Sequence, residues 1–286
     1  MYFTKMNGAG NDFIILNNLV EKLPAERLPA LARILCDRHL SIGADGLMAV
    51  DRASGAGNYA MRFYNSDGSM GEMCGNGARC ICRYGFEHGL AGETQRVETT
   101  AGLVTGTRID RRNYRIRLPD PSVIRLDDPA EVGGRVWDCA YVELGKPGLP
   151  HAVVPYPGLE MAEERELFAL GSALRRHPNF PRGANVNFYE LTGPDTVHTR
   201  TWERGVEGFT YACGTGAGSL AVVLTLKGLC SGHNVRVHTR GGLLTVDVDR
   251  DGSLIHDLWL TGPTNLVCEG EILDEELASF CLEGNA

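Results

Sequence analysis

Glu72-Met73-Cys74-Gly75-Asn76-Gly77-Ala78-Arg79 and Tyr211-Ala212-Cys213-Gly214-Thr215-Gly216-Ala217-Gly218 are two versions of one phrase. Both read Cys-Gly-(Asn or Thr)-Gly-Ala, and about half of the 286-residue chain lies between them. Before the first, Met61, Phe63 and Tyr64 mark a short strand and Asn65-Ser66-Asp67-Gly68-Ser69 a turn; after it, Ala78 to Phe86 has helical character. Before the second, Thr196 to Trp202 alternates as a strand and Glu203 to Gly208 forms a turn; after it, Ser219 to Lys227 reads as a buried helix stopped by Gly228. Each cysteine is therefore placed at or just before a helix start, in matched strand-turn-helix settings.

The first N–H groups of a helix have no partner within it, and the helix dipole favours an anion there. Gly75, Gly77, Gly214 and Gly216 carry no side chain, so a ligand can come close to that backbone. The same field lowers a thiol pKa from about 8.5 toward neutrality. One phrase thus supplies an anion site and an acid/base group, and two copies supply two. The chemistry that needs two is proton removal from one face of a carbon and delivery to the other. A single Cys-Gly-x-Gly is a weak signal, because cysteine is often a small core residue. Two in matched settings are a strong one. Cys36, Cys80, Cys82, Cys139, Cys230, Cys268 and Cys281 read as core residues, and no spacing among them suggests a zinc site.

Composition narrows the class. Hydrophobic residues make up 43%, enough for two modest cores, and the net charge of −8 argues against nucleic-acid binding. No apolar run reaches the ~20 residues of a membrane span, and no signal-peptide pattern is evident. Nine cysteines without a compact disulfide pattern point to a reducing cytoplasm. Amphipathic helices are expected at 25–38 and 163–176. Strands are expected at 13–16, 96–99, 114–118, 235–238 and 243–248. The prolines in Pro119-Asp120-Pro121 and Asp127-Asp128-Pro129 suggest a junction between halves 1–119 and 120–263.

Further motifs stand in order along the chain: Lys5-Met6-Asn7-Gly8-Ala9-Gly10-Asn11-Asp12-Phe13, Gly43-Ala44-Asp45-Gly46, Phe63-Tyr64-Asn65-Ser66-Asp67-Gly68-Ser69, Ala184-Asn185-Val186-Asn187-Phe188 and Trp202-Glu203-Arg204-Gly205. With the two cysteine phrases, they make the sequence resemble the diaminopimelate epimerase family, amino-acid epimerases that work without pyridoxal phosphate. The resemblance runs nearly end to end.

It implies an α/β (α+β) fold of two pseudo-symmetric domains, each a strand-rich barrel around a central helix. The active site lies in the cleft between them, and residues 264–286 return to the first domain. It implies epimerisation of LL-2,6-diaminopimelate to the meso isomer, for lysine and cell-wall precursor synthesis, with no metal or organic cofactor, by a cytoplasmic homodimer. Cys74 and Cys213 become the acid/base pair, assisted by His151 and Glu203. The backbone of Gly75, Asn76, Gly214 and Thr215 becomes the clamp on the reacting carboxylate. Asn11, Asn65, Asn185, Glu203 and Arg204 become the groups that hold the distal head group. Taken alone, His151 is a polar residue beside a proline turn, Glu203 a turn carboxylate, and Asn11 and Asn65 turn asparagines.

Two positions depart from the family pattern. Gly46 stands where many members have Gln. In Gly145-Lys146-Pro147-Gly148-Leu149-Pro150-His151, Leu149 stands where a substrate-binding Asn is usual. That leaves open a racemase of another amino acid, such as histidine, on the same scaffold. A thiol redox protein is the reading from a different class, and the lack of a Cys-x-x-Cys pair counts against it.

Overall fold

The computed structural model describes residues 1–71, 74–273 and 277. Contacts divide the chain into two units, one of Met1–Arg112 with the segment from Thr264 onward, the other of Asn113–Pro263.

In the first unit, β1 (Tyr2–Gly8) and β2 (Asn11–Asn17) form a hairpin. After a short helical turn α1 (Asn18–Glu21), helix α2 (Leu28–Leu35) carries the chain to β3 (Gly46–Asp51), which lies parallel to β2. Strand β4 (Tyr59–Asn65) returns antiparallel to β3. Helix α3 (Gly75–Glu87) then crosses to β5 (Thr94–Thr99), parallel to β4, and β6 (Gly102–Arg108) closes a second hairpin. The last strand, Asn265–Glu271, pairs antiparallel with β1. Helix α3 touches β1 and β2 near one end of this strand order and β6 at the other. One helix can do so only if the sheet curls around it, which is why Gly75 to Gly85 are all buried.

The second unit opens with β7 (Asn113–Leu118), β8 (Pro121–Arg125) and a small hairpin of β9 (Ala130–Val132) and β10 (Arg135–Trp137). The plan of the first unit then recurs. A hairpin of β11 (Ala140–Leu144) and β12 (Leu149–Pro155) leads through α4 (Glu164–Arg175) to β13 (Asn185–Gly193), parallel to β12. Strand β14 (Thr196–Glu203) returns antiparallel, with a short β15 (Gly208–Phe209) against its end. Helix α5 (Gly214–Leu226) crosses to β16 (Val235–Thr239), parallel to β14, and β17 (Gly242–Asp251) and β18 (Leu254–Pro263) follow antiparallel. Helix α5 touches β11, β12 and β13 on one side and β17 and β18 on the other, so this sheet also curls round its helix. Since α5 is apolar on every face, it suits a central position.

The order antiparallel, parallel, antiparallel, parallel, antiparallel is thus shared by the two units, with the cysteine phrase opening the second crossover helix in each. Each unit has its own core. In the first, Leu28, Leu31 and Leu35 of α2 pack on Ile14, Leu16 and Leu47; in the second, Leu167, Leu170 and Leu174 of α4 pack with Phe188 and Trp202.

Several expectations need correction. The division falls at Arg112/Asn113 rather than at 119/120, because β7 pairs along its length with β18 of the second unit. Pro119-Asp120-Pro121 marks the bend from β7 into β8 instead. Of the expected returning segment 264–286, the strand Asn265–Glu271 lies on β1, and residues 274–276 and 278–286 lie outside the described residues. Helix α2 is shorter than 25–38, since Ala25–Arg27 forms a tighter 3-10 turn and Pro29 sits in the first α-turn, where a missing N–H costs nothing. Cys268 is exposed, not a core residue, and Cys281 lies outside the described residues. Asn11 and Asn65 are the first residue of β2 and the last of β4, at the edges of turns rather than inside them.

Candidate active site

Cys74 is the N-cap of α3 and Cys213 the N-cap of α5, with backbone angles of φ −116°, ψ 115° and φ −113°, ψ 112°. A side-chain acceptor at this position takes up one of the orphan N–H groups of the first turn. Serine, threonine and aspartate usually do this; here sulfur does. The N–H of Gly77 donates to Sγ of Cys74 at 3.4 Å, and the N–H of Gly216 donates to Sγ of Cys213 at 3.4 Å. Such a bond favours the thiolate, as does the positive end of the dipole. Both thiols are half-buried. By contrast, burial pushes the thiols of Cys80 and Cys82, within α3, up to about 12, which keeps them neutral.

Around Cys74 the first unit gathers a chain of amides. Arg79 donates from Nη2 to Oδ1 of Asn76 at 2.6 Å; Asn76 donates from Nδ2 to Oδ1 of Asn11 at 2.6 Å; Asn11 donates from Nδ2 to Oδ2 of Asp45 at 3.0 Å. Asp45 and Asp12 are in turn held by Arg38, and Asp12 also by Lys5. These cations hold the Asp12 carboxyl at about 2 against the opposing effect of burial. The relay fixes the side chain of Asn11 beside the helix start. Asn65 is tied to its own turn, with Nδ2 donating to Oγ of Ser69 at 2.9 Å. It approaches the cluster through its neighbour Ser66, whose N–H donates to the Asp45 carbonyl at 3.1 Å.

Around Cys213 the second unit gathers Glu203, His151, Asn185 and Arg204. The carboxyl of Glu203 accepts from Oγ1 of Thr210 at 2.6 Å and is hydrogen-bonded to the Cys213 thiol. Burial raises its pKa, and these two hydrogen bonds pull it part of the way back. Oγ1 of Thr215 lies 3.5 Å from Sγ of Cys213. His151 is fully buried on β12, and desolvation lowers it to about 3, so it is a neutral imidazole. The amide of Asn187 sits 3.3 Å from its Nδ1, and Nε2 is enclosed without a partner among the described residues. With Asn187 donating, Nδ1 is the acceptor and Nε2 carries the proton. Asn185 accepts the N–H of Arg204 on Oδ1 at 2.7 Å, so the two expected binding residues are joined. Leu149 is half-buried at the start of β12, paired with Leu144.

Two residues with clear roles in this geometry carry no role in the sequence reading, although both lie inside its motifs. Arg79 organises Asn76. Asn187 holds His151, donates to the Ala152 carbonyl at 3.0 Å and accepts from Thr201 at 3.0 Å, and it lies directly against Gly216. The signal for both was their place inside quoted motifs, Arg79 in the first cysteine phrase and Asn187 in Ala184-Asn185-Val186-Asn187-Phe188; what they touch required the fold.

Residues 3–117 and 145–267 match the family model described as diaminopimelate epimerase. The chain belongs to this family. Curated members of the family resemble it nearly end to end. The diaminopimelate epimerase of Aquifex aeolicus is 38% identical over 97% of this chain and 99% of its own length. That of Desulforudis audaxviator is 39% identical over 95% and 99%, and that of Archaeoglobus fulgidus 36% identical over 96% and 97%. Among solved structures, a hydroxyproline epimerase from Agrobacterium vitis superposes with a TM-score of 0.69 at 19% identity, over 96% of this chain and 92% of that one. A probable proline racemase from Agrobacterium radiobacter K84 gives 0.68 at 18%, over 96% and 93%. These two show that the fold is shared well beyond the family. Among the described residues, no helix is long and apolar enough to cross a membrane.

Proposed function

We propose that this protein is an isomerase that epimerises LL-2,6-diaminopimelate to meso-diaminopimelate, with Cys74 and Cys213 as the acid/base pair and no cofactor. The observation that carries this is the pair of N-cap thiols, each accepting a backbone N–H at the start of a glycine-rich helix. Membership of the family supplies the substrate.

The reaction needs one thiolate and one thiol on opposite faces of the α-carbon. The thiolate takes the α-proton, and the C–H electron pair stays on carbon, spread into the carboxylate. The opposing thiol then gives its proton to the other face. The configuration inverts, and the pair ends with its charge exchanged, ready for the reverse direction. A thiol is a far stronger acid than an amino-acid α-carbon, so the anionic intermediate must be stabilised strongly. The N–H groups of Gly75, Asn76, Gly214 and Thr215 do this by binding the reacting carboxylate at two helix N-termini. Each half of the chain contributes one thiol and one pair of amides, and the reading requires both to act on one substrate. Glu203 takes up and returns the proton of Cys213, and neutral His151 donates a hydrogen bond toward the reacting groups from Nε2. Asn11, Asn65, Asn185 and Arg204 hold the distal head group, Arg204 as a bidentate carboxylate partner. The protein works as a cytoplasmic homodimer in the synthesis of lysine and cell-wall precursors.

Leu149 favours a second reading, because an aliphatic side chain cannot hydrogen-bond the distal ammonium or carboxylate. In that reading the same pair racemises an amino acid with a different side chain, such as histidine. The test is incubation of the reduced protein with LL-diaminopimelate in deuterated water. Loss of the α-proton signal with appearance of the meso isomer, abolished in both Cys74→Ala and Cys213→Ala, supports the first reading. No exchange with verified free thiols rejects it, and a panel of L-amino acids then tests the second.

A further inference from the structure

The two half-sites share a backbone but not an electrostatic environment. Arg79, in the second turn of α3, is fully buried. Its Nη1 donates to the Gly75 carbonyl at 3.3 Å and its Nη2 to Oδ1 of Asn76 at 2.6 Å, while Nε has no partner among the described residues. Among the described residues no carboxylate pairs with it. An unpaired buried cation costs several kcal/mol, so a nearby anion is strongly favoured. The ionisable groups that act on Arg79 are the thiols of Cys80 and Cys74. Cys80 is sealed in the core and stays neutral. Cys74 is half-buried at the helix start and is the group that can supply the negative charge.

The second half has the opposite arrangement. Five residues after Cys213, where Arg79 stands in the first phrase, is Gly218. A Cβ there would already lie 2.6 Å from Cδ1 of Leu118 and 3.2 Å from Cδ2 of Leu258, so the position is filled by aliphatic packing and has no room for a cation. Among the described residues a carboxyl, Glu203, is hydrogen-bonded to Cys213, and a thiolate beside a carboxylate is disfavoured. Among the described residues, the other charges of the first half-site, Lys5, Arg38, Asp12 and Asp45, are paired with one another. In the second, the guanidinium of Arg204 is turned to the Arg182 carbonyl at 3.2 Å.

We propose that Arg79 is a positioning residue that makes the two cysteines inequivalent, holding Cys74 as the resting thiolate and leaving Cys213, hydrogen-bonded to Glu203, as the resting thiol. This rests on the two-cysteine reading. It adds that the free enzyme is poised to remove a proton with Cys74 and deliver one with Cys213, so the opposite direction starts only after the pair exchanges its charge. The same guanidinium, by gripping Asn76, also keeps the Asn76–Asn11 relay in register with the helix start.

Site-resolved alkylation tests it. The reduced full-length protein is treated with iodoacetamide between pH 5.5 and 9.5, and modification of Cys74 and Cys213 is followed separately by peptide mass spectrometry. Because the readout is the pH of half-maximal rate, unequal exposure of the two thiols does not enter. The expected result is a lower midpoint for Cys74 by one pH unit or more, about a tenfold difference in thiolate population at neutral pH. Arg79→Met moves the Cys74 midpoint up by a similar amount and leaves that of Cys213 in place. Arg79→Lys, which keeps the charge, restores most of the shift, and Glu203→Gln lowers the Cys213 midpoint. Equal midpoints in the unaltered protein, or a lower one for Cys213, overturn the proposal, and this comparison stands even if Arg79→Met does not fold. An Arg79→Met effect equal at both cysteines also overturns it. Failure of deuterium exchange with diaminopimelate, with the midpoints ordered as expected, would reject the substrate and leave the asymmetry in place.

Discussion

Replacing Gly216 by alanine is expected to be costly, whereas the same change at Gly77, its counterpart in the other phrase, is expected to be nearly neutral. At Gly77 the new methyl overlaps Cε of Met48, the free end of an unbranched side chain, with Phe13 and Cys74 at ordinary contact distance. Met48 is buried, so it must shift within packed surroundings, at about 0.5–1.5 kcal/mol for an off-rotamer side chain. Alanine returns about 1 kcal/mol in helix propensity, leaving a net effect within about 1 kcal/mol. At Gly216 the methyl overlaps Oδ1 of Asn187 and sits 3.2 Å from Cβ of Cys213. Asn187 cannot swing away cheaply. It is fully buried, accepts from Thr201, and donates to the Ala152 carbonyl and toward His151. Each buried group left unsatisfied costs about 1–3 kcal/mol, and two such groups less the propensity gain give about 1–5 kcal/mol. Urea unfolding followed by circular dichroism measures both variants. A double-mutant cycle adds the mechanism: in an Asn187→Ala background the obstruction is gone, and the Gly216→Ala penalty should fall by about 1–3 kcal/mol. An equal cost at the two glycines, or an undiminished Gly216→Ala penalty without Asn187, would refute the reasoning.

His151 makes stability depend on acid. Its folded pKa, lowered by desolvation to about 3, lies below the unfolded value of 6.5, so the unfolded chain binds the extra proton in that window. Its contribution is complete above about pH 6.5 and declines by about 1.4 kcal/mol per unit as pH falls toward 3; His151→Gln should flatten that part of the urea-stability profile, and an unchanged profile would show that His151 is not the group responsible. Glu203→Gln removes the proton acceptor beside Cys213 and is expected to lower kcat on the order of 100-fold with little change in KM, measured by deuterium incorporation under saturating substrate; a change confined to KM would assign Glu203 to binding instead. Leu149→Asn adds a side-chain amide at the start of β12 and should lower KM for LL-diaminopimelate severalfold in the same assay; a raised KM would show that the aliphatic side chain is part of the recognition.

The helix starts were legible because their signals are local. A glycine-rich turn between a strand-like run and a helical one says where a helix begins whatever surrounds it, and the cysteines at 74 and 213 do become N-caps. The strands expected at 13–16, 96–99, 114–118, 235–238 and 243–248 each fall within an observed strand for the same reason, a run of apolar or alternating residues bounded by turn formers. What escaped was pairing. Nothing in Cys268 or its neighbours says that this strand lies along β1 with its thiol outward, and nothing in Asn113–Leu118 says that β18 is its partner. Pro119 and Pro121, read as a junction, sit at a bend within the second unit, because proline reports on local backbone and a unit boundary depends on which distant strands share hydrogen bonds.

The site divides along the same line. From the sequence by itself come the repeated phrase, the two thiols at helix starts, the amides of Gly75, Asn76, Gly214 and Thr215 that we propose as the carboxylate clamp, and the order of motifs that defines the family. Each of these depends on residues close together in the chain. Only the tertiary structure decided that Arg79 lies buried with no carboxylate paired to it among the described residues, that Glu203 stands beside Cys213, and that Asn187 bridges Gly216 and His151. Those are burial and long-range contacts, set by how each sheet curls around its helix, and the charges we propose for the two thiols follow from them.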